Sequence, residues 1–288
     1  MALLSPLFAW AVAIGFFVAF VSVLVWRKLV GKRVPGYLAL CEYWVYSQGD
    51  KLPEQTEIME RMISSNPHNR PGRPCIGARE GMLFTDIRLH IALALRSKNP
   101  LVFRPDIFAE DLVPSEQALS RLPSAKSLIK VRYLSEAILT DTRHLQFLPH
   151  LADTVSDLAV GTLVYDVVCE QIYSAEDFKS LLESNNNAER PDIHVRAVWK
   201  RDEMDNSGYA ETKGLRKVGL KEMKTDTVQS DQEILVVGLL LRAAHELMRK
   251  PAHEGGFEYE EYGDTFVLEP REEKGEHTLV SIKRRRGN

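Results

Sequence analysis

The sequence predicts an α+β fold, with an N-terminal single transmembrane helix followed by a mixed β-sheet domain covered by helices. Three observations carry that expectation. Residues 7–26 contain no charged side chain, and only Gly15 and Ser22 fall outside the hydrophobic types. Beyond residue 128, short apolar runs of strand length alternate with amphipathic runs of helix length. No internal repeat breaks that alternation into equivalent units.

The uncharged run is long enough for a span. At the helical rise it covers about 30 Å, the hydrocarbon thickness of a bilayer. Trp10 and Trp26 lie near its ends, where amphipathic rings suit the lipid-water interfaces, and Arg27, Lys28, Lys32 and Arg33 follow. A cleavable leader has its positive charge before the apolar run, but here the basic residues come after it, so the segment reads as a signal-anchor. The basic flank predicts an integral, single-pass protein whose C-terminal part faces the cytoplasm, with the lipid bilayer as a partner through residues 7–26. Cys41, Cys75 and Cys169 are too few and too widely spaced for a disulfide framework, and there is no Asn-X-Ser/Thr sequon. Both absences agree with that orientation.

Three segments follow from composition: the anchor and basic flank at 1–36, a juxtamembrane helical and loop subdomain at 37–127, and a mixed α+β domain at 128–288. The net charge of -3 on 288 residues supplies no electrostatic drive toward nucleic acid, which is not expected as a partner. Residues 37–46 are rich in aromatics and suit either the membrane surface or a core. A short helix begins after Pro53, with Ile58, Met59, Met62 and Ile63 on one face. Residues 64–79 form a loop punctuated by Pro67, Pro71, Gly72, Pro74 and Gly77. Its Arg70, Arg73 and Arg79 are candidates for holding an anion or lipid head group, or simply a solvated face. Residues 84–95 predict a helix through Phe84, Ile87, Ile91, Ala94 and Leu95.

In the larger segment the expected elements are a strand at 128–134, a helix at 148–159, an apolar strand at 162–169, and a helix from 174 capped by Ser174 and Asp177. Two strands follow at 194–200 and 209–215, then a helix at 231–249 with Ser230 and Glu233 as a capping box, and two final strands at 265–268 and 278–283. The helix at 231–249 is apolar almost all round in its first half, which predicts burial between layers. Two stretches, TDTRHLQFLPHLADTVSDLAVGTLVYDVV and ETKGLRKVGLKEMKT, resemble segments of uncharacterised bacterial domains of mixed α and β structure. The resemblance covers the region after Leu128 and implies a fold class without an activity.

The densest chemistry is Asp141, Arg143, His144, His150, Asp153 and Asp157. The last three of these, His150, Asp153 and Asp157, map to the face opposite Leu148, Leu151 and Val155, which predicts solvation rather than a metal site. Asp141 and His144 are the catalytic candidates, as an acid-base pair; the competing expectation is that Asp141 or Thr142 satisfies free amides at a helix start while His144 either packs or faces solvent. His245 reads as a packing histidine. No nucleophile elbow, zinc-binding helix, Cys-X-X-Cys pair or dinucleotide loop is present, so neither a cofactor nor a metal is expected. A membrane-anchored interaction or scaffold domain with a protein partner is the leading expectation, and a membrane-tethered hydrolase using Asp141 and His144 is the alternative.

Overall fold

The computed structural model describes residues 38–64, 86–108, 116–183, 190–202, 205–251, 253 and 255–286. The first sheet is built around β1 (Ala39–Ser47), a strand with buried residues on both faces, apolar apart from Ser47 and from Glu42, which pairs with Arg132. It pairs antiparallel with β3 (Ser127–Ser135) on one side and with β4 (Gly161–Asp166) on the other. The edges are β2 (Leu89–Leu95), which pairs with β3, and β5 (Gln171–Ser174), which pairs with β4. Because β3 and β4 both oppose β1, they run parallel to each other. The helix that joins them, α2 (Arg143–Leu158), crosses one face of the sheet.

That face holds the first core. Cys41, Tyr43 and Val45 of β1 meet Phe147, Leu148, Leu151 and Val155 of α2. Ile58 and Met62 of α1 (Gln55–Ser64) join them, as do Phe178 and Leu182 of α3 (Ala175–Glu183). The opposite face is covered by short helical turns, which bring Phe103, Phe108, Ala118 and Leu122 against Tyr46, Leu128, Leu163 and Tyr165. With both faces covered, the aromatics at 39–46 become core residues.

The second sheet contains β6 (Arg196–Arg201), β7 (Ser207–Lys213), β8 (Glu222–Thr225), β10 (Phe257–Glu261), β11 (Asp264–Lys274) and β12 (His277–Arg286) in the order β10-β11-β12-β8-β7-β6, with β9 (Val228–Gln229) against β7. Its one parallel pairing joins β8 to β12. The connection between those two strands includes α4 (Glu233–Arg249), whose Val236, Leu239, Leu240, Ala243 and Met248 form the second core with Ala210, Met223, Phe266, Leu268 and Val280. Leu145 of α2 also enters this core, so α2 serves both sheets.

The expected architecture is corrected in several places. The strands form two sheets rather than one mixed sheet. No helix among the described residues is long and apolar enough to cross a membrane, and the expected span at 7–26 lies outside the described residues. The helix expected at 84–95 is, from Leu89, the strand β2. Leu89, Ile91, Leu93 and Leu95 also alternate with period two, and the open edge of β3 selects that reading. The helix expected from 148 begins at Arg143 with Pro149 inside it. The expected solvated face holds only in part: His150 is buried, because α2 is packed from two sides, while Asp153 is half-buried and Asp157 stays exposed and pairs with Arg61 and Lys179. The first half of α4 buries one face only, and Ile234 is 85% exposed. Its capping box does not form: residues 230–232 make a 3-10 turn, and Ser230 Oγ has no hydrogen-bond partner among the described residues. The boundary expected between 127 and 128 falls inside β3, whose partners β1 and β2 precede it in the chain.

Candidate functional site: a sealed ion pair between the sheets

The most concentrated polar chemistry lies where the first sheet meets the second. Asp166 ends β4, and its Oδ1 accepts the backbone N–H groups of Val168 (3.2 Å) and Cys169 (3.0 Å), which turns the chain out of the sheet. Its Oδ2 accepts from Lys217 Nζ at 2.5 Å. Neither side chain reaches solvent, with exposures of 2% and 0%. Lys217 Nζ also lies 3.4 Å from the Tyr43 hydroxyl and 5.3 Å from the centre of the Tyr43 ring. Burial is the largest single influence and disfavours the ammonium; the Asp166 carboxylate is the largest influence in the other direction, and the Lys217 pKa stands well above its ordinary value. The two described cysteines border this pair. Burial pushes the Cys41 thiol up to about 12 and raises that of Cys169 too, so both are protonated and poor nucleophiles.

Lys217 is presented by the 3-10 turn Leu215–Val218, and the local sequence explains the turn. Gly214 enters it at φ 127°, where an added Cβ would stand 2.1 Å from the carbonyl oxygen of His194. Gly219 leaves it in the left-handed region. Glu222 fills the concavity made by the turn: Oε1 accepts from the backbone N–H of Gly214 (2.9 Å) and Arg216 (3.2 Å), and Oε2 from Leu215 N–H (3.3 Å) and the Thr212 hydroxyl (2.7 Å). Such a nest of amides is an anion receptor, and here the chain's own carboxylate occupies it. Burial raises the Glu222 pKa, and the four donors counter part of that rise.

His144 is held on the other side of the same turn. Its Nε2 lies 2.9 Å from the carbonyl oxygen of Lys217 and its Nδ1 3.2 Å from that of Asp141, and its ring stacks on Tyr133 at 5.3 Å. The shorter contact assigns the ring proton to Nε2, which donates to Lys217. Burial lowers the imidazole pKa to about 4 against the pull of the two carbonyls, so the ring is neutral at pH 7. Tyr133 in turn donates to Asp86, whose carboxyl is held down to about 2, first by its hydrogen bonds with Arg88.

Asp141 and His144 therefore do not form a carboxylate-imidazole pair. The Asp141 side chain is exposed and accepts from the Arg143 backbone N–H (2.9 Å) and Nε (2.6 Å), and only its backbone carbonyl meets His144. Thr142 precedes the helix without a side-chain capping bond. Burial lowers the pKa of His245, which is half-buried on α4. Arg70, Arg73 and Arg79, with Cys75, lie outside the described residues. Among the described residues no group of three or more His, Cys, Asp or Glu could hold a metal ion. Three surface cavities, of about 180, 400 and 330 Å³, are lined by other residues than Lys217, Asp166, Tyr43 and His144.

Lys217, Asp166 and Glu222 escaped sequence reasoning. The available signals were a lone Asp closing an apolar strand and a Lys between two glycines five residues apart, followed by a Glu. None of these indicates burial until the sheets are assembled. The arrangement can lock two sheets together and hold a neutral imidazole. Comparison of the chain with known protein families, with curated proteins and with solved structures finds no match.

Proposed function

We propose that the chain is a single-pass membrane-anchored protein whose C-terminal domain, on the cytoplasmic side, is an interaction or scaffold module. The membrane part rests on the uncharged residues 7–26 and the basic flank behind them. The interaction part rests chiefly on one contrast. The buried ionisable groups of the Lys217 site are engaged, Lys217 with Asp166, and Glu222 and His144 with neighbouring backbone groups. By contrast the edge strand β2, with no Asp, Glu, Lys or Arg in seven residues, has no strand on its outer side among the described residues, with Leu93 at 36% exposure and Ile87 beside it at 90%. Natural edge strands are usually blunted by charge, proline or a bulge, and one left neutral suits main-chain pairing with a partner.

The test uses full-length protein in its native membrane. Alkaline carbonate should leave the chain in the pellet, and a Val18→Arg change, which costs about 3 kcal/mol of insertion free energy at a helix centre, should release it. A photo-crosslinking side chain at position 93 should give a protein adduct that the same group at Arg285 does not. Extraction of the unaltered chain by carbonate would remove the anchor from this reading, and the absence of any adduct at position 93 would remove the interaction module.

A further inference from the structure

The outer edge of β2 carries information about what it binds. Arg88 C=O accepts from Leu134 N–H (3.0 Å) and Arg96 N–H donates to Lys126 C=O (2.8 Å), which with the register against β3 turns the backbone groups of the even residues His90, Ala92 and Ala94 inward. The groups of Leu89, Ile91, Leu93 and Leu95 point outward. Two of these are already used: Leu89 N–H donates to Asp86 C=O, and Leu95 C=O accepts from the Lys98 and Asn99 N–H groups. Left without a partner among the described residues are Leu89 C=O, both groups of Ile91, both groups of Leu93, and Leu95 N–H.

This set is self-complementary, and we infer that β2 pairs antiparallel with β2 of a second copy of this chain about a two-fold axis at Ala92, joining two five-stranded sheets into one. The inference rests on the interaction-module reading. In this register Ile91 exchanges both of its bonds with Leu93 of the other copy, and Leu95 N–H donates to Leu89 C=O of the other copy. The two groups already used, Leu89 N–H and Leu95 C=O, fall opposite each other, so every free group is matched and no matched group is blocked. A strand from an unrelated protein has no reason to mirror that pattern of used and unused groups.

The side chains agree with the same register. Ala92 faces Ala92 in the narrow, non-hydrogen-bonded type of pair, where Cα atoms approach to about 4.5 Å and a methyl group fits. On the other face Ile91 meets Leu93, and Leu89 meets Leu95. Beside Leu89 and Ile91 lies the cavity of about 400 Å³ that Leu52, Pro53 and Ile58 also line, open to receive the incoming leucine. Arg88 falls opposite Arg96, but each cation is engaged at home: Arg88 with Asp86, and Arg96 with the Leu122 carbonyl at 2.6 Å and the Phe103 ring. The other sheet edges are poor candidates for self-pairing. β6 carries Arg196, Lys200 and Arg201, β10 carries Glu258, Glu260 and Glu261, and β5 spans four residues.

The register predicts one disulfide. Full-length protein in detergent micelles, with Cys75→Ser to remove the one cysteine outside the described core and Ala92→Cys introduced on the exposed face of β2, should crosslink under mild oxidation to twice the chain mass. An Ala94→Cys version should do so at least tenfold less, because residue 94 faces His90 and lies about 13 Å along the strand from its symmetry mate. Leu93→Pro deletes only an outward-pointing N–H and should convert the particle to the mass of one chain without changing its circular dichroism. Equal crosslinking at 92 and 94, or a particle of one chain's mass before any substitution, would overturn self-pairing. An adduct at position 93 to a different protein, with no crosslink at 92, would also overturn it while leaving the interaction module standing; no adduct of any kind would reject both.

Discussion

At the scale of single residues, His144 shows how burial decides a protonation state. The folded imidazole releases its proton near 4, whereas in the unfolded chain it does so near 6.5. Between those values the unfolded state binds more protons, so stability rises with pH. The contribution of His144 is full above about pH 6.5 and is lost progressively as pH falls to about 4, an amount on the order of 3 kcal/mol. Denaturant midpoints of the full chain at several pH values, compared with those of His144→Gln, should show the two curves converging as the pH falls through this window. Parallel curves would mean that the ring is not held neutral. The same comparison bears on the hydrolase alternative, since the imidazole spends its one proton on the Lys217 carbonyl and, at 3% exposure, offers its other nitrogen no access to substrate.

At the scale of elements, two serines that look alike in sequence diverge. Ser174 precedes α3, and its hydroxyl accepts the Asp177 backbone N–H at 3.0 Å while donating to the Asp177 carboxylate at 2.7 Å. Ser230 has the same spacing to Glu233, yet the 3-10 turn places its hydroxyl where nothing described bonds to it. Ser174→Ala should therefore cost about 1 kcal/mol and Ser230→Ala almost nothing, measured as denaturant midpoints under one condition. Equal losses would contradict the distinction. Capping was legible at Ser174 because the apolar face of α3 starts at once behind it. At Ser230 the pattern was present, but the pairing of β9 with β7 pulls the chain into a tighter turn first. β2 departs from the expected helix for a related reason: its apolar residues satisfy periods of two and of nearly four, and only the free edge of β3 selects between them.

At the scale of the whole molecule, the pair Asp166–Lys217 ties the first sheet to the turn that follows β7. Neither charge has water to fall back on, so removing one partner strands the other. Lys217→Met should cost about 3–5 kcal/mol, and Asp166→Asn alone a comparable amount. The double variant should recover most of the loss, since the amide introduced at position 166 keeps an oxygen for the Val168 and Cys169 N–H groups and no charge is left unpaired. A double variant as unstable as the sum of the two singles would show that the pair acts through something other than mutual neutralisation. Tyr43 belongs to the same arrangement: its hydroxyl pKa is raised, first by burial, so it stays protonated beside the ammonium.

Local chemistry in the sequence determined the helices at 55–64 and 175–183 and the strands at 127–135, 161–166, 196–201 and 207–213, because apolar periodicity and caps act over a few neighbouring residues. Tertiary structure alone decided three things: that the strands divide between two sheets, that 89–95 is an edge, and that Lys217 and Asp166 meet. Each depends on residues far apart in the chain, 51 positions apart for the ion pair and 174 between Lys217 and Tyr43. A lysine between two glycines looks like a solvated turn until a second sheet closes over it. Its burial is a property of the assembled layers, and no periodicity in the surrounding residues encodes it.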